Sequence, residues 1–271
     1  MHESVAQPAA AGHPAEMGVI GVGALASAIV VALARVWPSC RFHLSPRGAA
    51  ASLHLAQRIG ALRHTSNQAV ADACNLLIIG VRPAQLAALA DELRLRPGHH
   101  LLALSAGTPL ATFATRFAPA RVTRLMTGLA VAGGQSAISV FPQAEDVASL
   151  LAPACTSVLG FDTEARFDAS ILAVCANAWW LDQLAALSDW MVQATGMAPE
   201  QAQALLCANL ADVASMVHLH PGCSPRELAR SVGSPGTYTA LGLDHLQQQQ
   251  AHRVWKNSLA QVLDRLRDSA A

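Results

Sequence analysis

The residues best suited to chemistry lie in one short run near the start of the chain, Ile20-Gly21-Val22-Gly23-Ala24-Leu25-Ala26. Gly21, Gly23 and Ala26 form the pattern G-x-G-x-x-A. Between a strand and a helix this pattern has a definite use. The first glycine permits a tight bend, the second leaves room for a pyrophosphate against the backbone, and the third small residue lets helix and strand pack closely. The helix start then offers its unpaired N–H groups to the anion. Gly21, Gly23, Ala24 and Leu25 are therefore candidate cofactor contacts. A second signal follows the next predicted strand, Arg41–Ser45, where a dinucleotide fold reads the adenosine ribose. A carboxylate there would hold the two ribose hydroxyls, but no Asp or Glu occurs between Met17 and Ala71. Ser45 and Arg47 stand in its place, and a hydroxyl with a guanidinium suits a 2′-phosphate, that is, NADP. The alternative for Arg47 is a solvated turn residue.

These residues need a βαβ frame, and the pattern around them supplies one. Met17–Ile20 reads as a buried strand, Leu25–Val36 as a helix stopped by Trp37-Pro38, and Ala49–Ile59 as an alanine-rich helix. The alternation continues: a helix over Asn67–Ala73, apolar strands over Asn75–Val81 and His100–Ser105, helices near Gln85–Leu93 and Pro109–Arg116, and short strands at Val122–Met126 and Ser136–Phe141. Apolar strands separated by helices predict a doubly wound α/β domain of the Rossmann type, with ligands outside the carboxyl ends of the strands. Past Phe167 the signal is helical only. A long helix is expected over Asp168–Thr195, a second over Pro199–His218, a capped one from Ser224-Pro225-Arg226-Glu227, and a last one from near Thr239 to the end. The division predicted is a disordered leader over 1–16, a dinucleotide domain over 17–163 and an all-α domain over 164–271.

Composition narrows the classes. Of 271 residues, 52% are hydrophobic and 13% charged, with a formal net charge of zero, so nothing points to nucleic acid or an anionic membrane surface. Met17–Ala34 carries no charge, but no Lys or Arg precedes it, which argues against a signal segment. Asp168, Asp182 and Asp189 mark the long helix as a soluble buried one. Six scattered cysteines without a C-x-x-C pair fit reduced thiols in a cytoplasmic protein. His218, His220 and Cys223 are better read as a helix-end turn than as a zinc site, so no metal is expected. Two long apolar helices exceed what a small domain needs for its own core, and self-association is the expected use of the excess.

In order along the chain, several segments resemble the pyrroline-5-carboxylate reductase family. The glycine turn is similar to the family's, and Ser45-Pro46-Arg47 falls at its NADP-selecting position. Val81-Arg82-Pro83-Ala84-Gln85 resembles its V-K-P-Q element, Leu104-Ser105-Ala106-Gly107 its S-x-x-A-G strand end, and Arg124-Leu125-Met126 the start of R-x-M-P-N. Leu228–Thr239 is similar to L-x-x-x-V-x-S-P-G-G-x-T. The resemblance implies an NADPH-dependent reductase of a cyclic imino acid, 1-pyrroline-5-carboxylate to proline, working as a homodimer or higher homo-oligomer through its C-terminal helices. Carried over, it adds Val81, Arg82, Pro83, Ala106 and Gly107 as cofactor contacts. It makes Thr239 the proton donor to the imine nitrogen, and Ser234, Gly236, Thr237, Tyr238 and Asn177 substrate contacts. Thr239 has an alternative reading as a helix N-cap.

The departures fall on the substrate side. M-P-N is Met126-Thr127-Gly128, S-G-S-G-P-A-Y aligns with Val174–Trp180, and the second glycine of S-P-G-G is Thr237. Trp179 and Trp180 are either a wall of the pocket or part of a core or dimer interface, and Arg124 is either structural or beside the cofactor. Two rival functions remain: a related imine reductase or dehydrogenase with another substrate, and a catalytically silent NADP-binding dimer.

Overall fold

A computed structural model describes residues 14–270. The expected leader lies almost wholly outside the described residues. Two compact units are present, one built on a sheet and reaching Val174, the other Cys175–Leu263.

The first unit runs β1 (Glu16–Ile20), α1 (Ala24–Val36), β2 (Arg41–Leu44), α2 (Ala49–Ile59), β3 (Leu62–Arg63), α3 (Asn67–Ala73), β4 (Leu76–Ile79), α4 (Leu86–Glu92), β5 (His100–Ala103), α5 (Leu110–Arg116), β6 (Arg121–Thr127), β7 (Ala137–Phe141), α6 (Glu145–Leu151) and β8 (Ser157–Gly160). Its eight strands are ordered β3-β2-β1-β4-β5-β6-β7-β8. Six run parallel, and β7 turns back antiparallel to β6. The reason lies in the link. Only Gly128–Ser136, wound into a 3-10 turn over Leu129–Gly133, joins β6 to β7, and a parallel crossover needs about a dozen residues or more. Both faces of the sheet are covered. Leu77 and Ile79 of β4 and Leu101 and Ala103 of β5 enter one core, while Ile78 and Leu102 point into the other. That is why these strands read as continuous apolar runs. Helix α1 is buried along Ala26, Ala28–Val30, Ala32 and Leu33, so the uncharged run from Met17 is sheet and core helix. The sheet order reverses between β1 and β4, and an α/β fold opens a ligand crevice there.

The second unit takes most of α7 (Glu164–Thr195), with α8 (Pro199–Leu219), α9 (Pro225–Val232), α10 (Tyr238–Gln248) and the start of α11 (Ala251–Ala270). Helix α9 begins with the predicted capping box: Ser224 Oγ accepts from Glu227 N, and Glu227 returns a carboxylate to Ser224 N. Two expectations are corrected, and three short elements are added. Helices α10 and α11 replace the single last helix, because Gln250 adopts φ 53° and breaks it. Strands β3 and β8 and helix α6 leave no clear sequence signal, being two to seven residues long. The long helix is also not buried within the chain: only Phe167 and Ile171 of α7 and Ala202 of α8 are buried. By length and composition both helices could cross a membrane.

Candidate functional site

At the β1/β4 reversal lies a cleft of about 290 Å³, lined by Ile20–Gly23, Arg47, Gly48, Asn67, Gly80–Arg82 and Gln85. The glycines are there for steric reasons. Gly21 has φ +87°, and a Cβ on it would sit 2.7 Å from Val81 N. A Cβ on Gly80 would collide with the Gly21 carbonyl. The ends of β1 and β4 therefore meet backbone to backbone. At Gly23 such a Cβ would make only an ordinary contact, 3.9 Å from the Gly80 carbonyl, so this side of the turn is uncrowded. Gly23 caps α1 with no side-chain hydrogen bond, so the first-turn N–H groups stay available to an anion. These observations fit a dinucleotide, its pyrophosphate over Gly23 and the start of α1.

Ser45 has a role the sequence did not reveal. It is fully buried, and its Oγ accepts from Gly21 N at 3.1 Å. Its carbonyl accepts from Ser52 Oγ at 2.8 Å, and Ser52 accepts from Arg63 Nε. Ser45 thus holds the glycine turn from behind, while Arg47 alone of the pair stands in the cleft. Arg47 is 59% exposed and ion-paired with Glu92 at 3.1 Å. The acid absent from β2 therefore arrives from the end of α4. The same Glu92 oxygen accepts from Asn67 Nδ2 at 2.9 Å, and the buried Asn67 Oδ1 has no partner among the described residues.

The other expected contacts divide. Val81 and Arg82 line the cleft, as do Gln85 and Gly80, which were not among the expected contacts. Arg82 N donates to Gln85 Oε1, which shapes the short turn through the exposed Pro83. Ala24 is exposed at the start of α1 and Leu25 packs on the core. Ala106 and Gly107 follow β5, where Ser105 Oγ donates to the Val81 carbonyl at 2.7 Å. Neither residue lines the cleft.

Arg124 is structural. It is 1% exposed, with Nη1 2.6 Å from Glu164 and Nη2 2.9 Å from Asp168, and its guanidinium lies 4.6 Å from the centre of the Phe167 ring. It ties β6 to the first turns of α7. At the altered M-P-N positions, Thr127 Oγ1 donates to the Ala137 carbonyl at 2.7 Å, and Gly128 opens the 3-10 turn.

Ser234, Gly236, Thr237, Tyr238, Thr239 and Asn177 all belong to the second unit, and none of them is buried within it. The cap of α10 is Thr237 rather than Thr239: Thr237 Oγ1 accepts from Ala240 N and donates to the Ser234 carbonyl. Thr239 Oγ1 makes no hydrogen bond among the described residues and so remains free for other work. Trp180 lies against Trp255 with ring centres 4.4 Å apart, and Trp179 meets Trp255 edge-on at 6.0 Å. No group of three metal-ligating side chains occurs among the described residues.

The helical half matches one family model, "Pyrroline-5-carboxylate reductase dimerisation", over residues 164–269. The resemblance read from the sequence therefore holds, and the dimerisation domain accounts for the exposed apolar helices as association surface. No curated protein matches the sequence. Solved structures match across nearly the whole chain. The 1-pyrroline-5-carboxylate reductase of Streptococcus pyogenes is 20% identical, covering 93% of this chain and 98% of its own, with a TM-score of 0.81. Pyrroline carboxylate reductase of Plasmodium falciparum, with NADP bound, is 15% identical over 96% and 100%, TM-score 0.80. A reductive aminase from Aspergillus terreus is 20% identical over 76% and 75%, TM-score 0.55. At these identities the likeness establishes the fold: a Rossmann-like domain followed by the dimerisation domain.

Proposed function

We propose that the protein is an NADPH-dependent reductase of a cyclic imino acid, converting 1-pyrroline-5-carboxylate to proline as a cytoplasmic homodimer. What supports this reading is one chain holding both a match to the reductase dimerisation domain and, at the β1/β4 reversal, a glycine-lined cleft with Arg47 on its wall. Bound NADPH supplies the hydride. The chain holds the pyrophosphate through the Gly21–Gly23 turn and the α1 N-terminus, and Arg47 meets the 2′-phosphate. Orientation of the two reactants is the main contribution asked of the protein. In the second unit Thr239 provides the proton at the imine nitrogen, since its neighbour Thr237 spends its hydroxyl on the helix cap. The start of α10, with Ser234 and Gly236, receives the substrate carboxylate, and Tyr238 and Asn177 flank it.

The test is oxidation of NADPH by the purified protein with 1-pyrroline-5-carboxylate, followed by absorbance. Turnover is expected. Tight NADPH binding with no turnover would remove the imino acid as substrate. A second reading, a related imine reductase acting on other imines, is favoured by Trp179 and Trp180, which stand in the segment aligned with the family's S-G-S-G-P-A-Y and pack against Trp255 of α11. Faster turnover of such imines than of pyrroline-5-carboxylate would select it.

A further inference from the structure

Resting on the dinucleotide reading of the cleft, we propose that Glu92 sets the balance between phosphorylated and unphosphorylated dinucleotide. The turn after β2 carries a guanidinium and no acid of its own. Glu92, from the last residue of α4, supplies one. Its Oε2 takes two donors at once, Arg47 Nη2 at 3.1 Å and Asn67 Nδ2 at 2.9 Å. Arg47 and Asn67 both line the cleft. Asn67 is 2% exposed, and its Oδ1 is left without a partner among the described residues. The adenosine end thus offers one shared guanidinium, one carboxylate and one spare amide oxygen.

Two of these three groups accept hydrogen bonds and suit the hydroxyls of an unphosphorylated ribose. A 2′-phosphate fares differently. It must draw Arg47 from Glu92 and then lie near a carboxylate of like charge. Two unit charges about 4 Å apart interact by about 1 kcal/mol in water and more near a protein surface. Glu92 is 31% exposed, so the low end applies, which corresponds to about a fivefold effect on affinity. Glu92 therefore admits NADH into a pocket that Arg47 alone would reserve for NADPH. It acts on specificity through Arg47 and Asn67.

The experiment measures dissociation constants of NADPH and NADH for the full-length wild type, Glu92→Gln, Glu92→Ala and Arg47→Ala, by nicotinamide fluorescence, without substrate. Competition by adenosine 2′-monophosphate and adenosine 5′-monophosphate isolates the adenosine end. Glu92→Gln keeps the shape and an acceptor for Asn67, so the NADPH preference over NADH should rise about fivefold. Glu92→Ala, on a partly exposed helix position, should move it the same way and serves if the first variant folds poorly. Arg47→Ala should lower the preference. An unchanged ratio in both Glu92 variants, with Arg47→Ala still selectively weakening NADPH, overturns the role of Glu92 alone. Equal effects of Arg47→Ala on both nucleotides overturn it together with the NADP reading of Arg47.

Discussion

Replacing Arg124 by Met removes a buried cation and leaves its two carboxylates behind. Glu164 and Asp168 sit one helical turn apart, 32% and 23% exposed, facing a guanidinium that is 1% exposed. Breaking a buried ion pair by deleting one partner costs about 3–5 kcal/mol. The partial exposure of both acids lets water reach them, which favours the low end. Their mutual repulsion at i, i+4 adds a few tenths, about 0.3 kcal/mol. Met recovers some apolar contact with Phe167, about 1 kcal/mol. The net expectation is a loss of about 2–3 kcal/mol, or a fall of about 5–10 °C in Tm for a domain of this size. The assay is thermal unfolding at one fixed protein concentration, since association shifts Tm. A second arm adds Glu164→Gln and Asp168→Asn to Arg124→Met. Taking away all three charges should recover most of the loss. The Glu164→Gln change keeps a side-chain oxygen for Leu110 N, which donates to Glu164 at 2.6 Å. The reasoning is refuted if the triple variant is no more stable than Arg124→Met. A tenfold loss of NADPH affinity in Arg124→Met with an unchanged Tm would return Arg124 to the cofactor.

Other tests concern the turn, the second unit and pH. Gly21→Ala puts a side chain at φ +87° and 2.7 Å from Val81 N. It should cost about 1–3 kcal/mol of stability and abolish NADPH binding, as measured by denaturant unfolding and fluorescence titration. Thr239→Ala should reduce kcat at least about tenfold, in the range of lost acid–base assistance, with unchanged NADPH affinity. Thr237→Ala should instead lose an N-cap, about 1 kcal/mol, read as a fall in Tm. Equal effects of the two on kcat would remove the distinction between them. Burial holds the His100 imidazole down to about 4 from its usual 6.5, so the unfolded chain binds more protons between those values. Stability should therefore fall as pH drops from about 7 to 4. In His100→Gln, which can keep a bond to Thr123, that loss measured by Tm against pH should be visibly smaller.

Much of the first unit was legible because β4 is wholly apolar, β5 nearly so, and its turns carry glycine. The G-x-G-x-x-A run, α2 over Ala49–Ile59 and α3 over Asn67–Ala73 stand where periodicity and capping put them. What stayed hidden was short, such as β3 with two residues, or depended on contacts distant in sequence. Ser45 illustrates the second kind. A serine after β2 looks like a ligand contact, and only the partner Gly21 N, 24 residues earlier, turns it into a brace. Thr239 carried the cap reading in the sequence, and only the structure places the cap hydrogen bond from Ala240 N on Thr237.

By itself the sequence determined the class of fold, the glycine turn and the all-helical character of the C-terminal part, because these rest on local pattern: continuous apolar runs, helix caps, and glycine where a side chain cannot fit. The tertiary structure decided what each polar residue does. Arg124 became a strut once Glu164 and Asp168 lay against it, 40 and 44 residues on. Arg47 gained a carboxylate from Glu92 that lies 45 residues away. A charge acts through whatever group lies within a few ångströms, and chain folding brings that group close without leaving a mark in the local pattern.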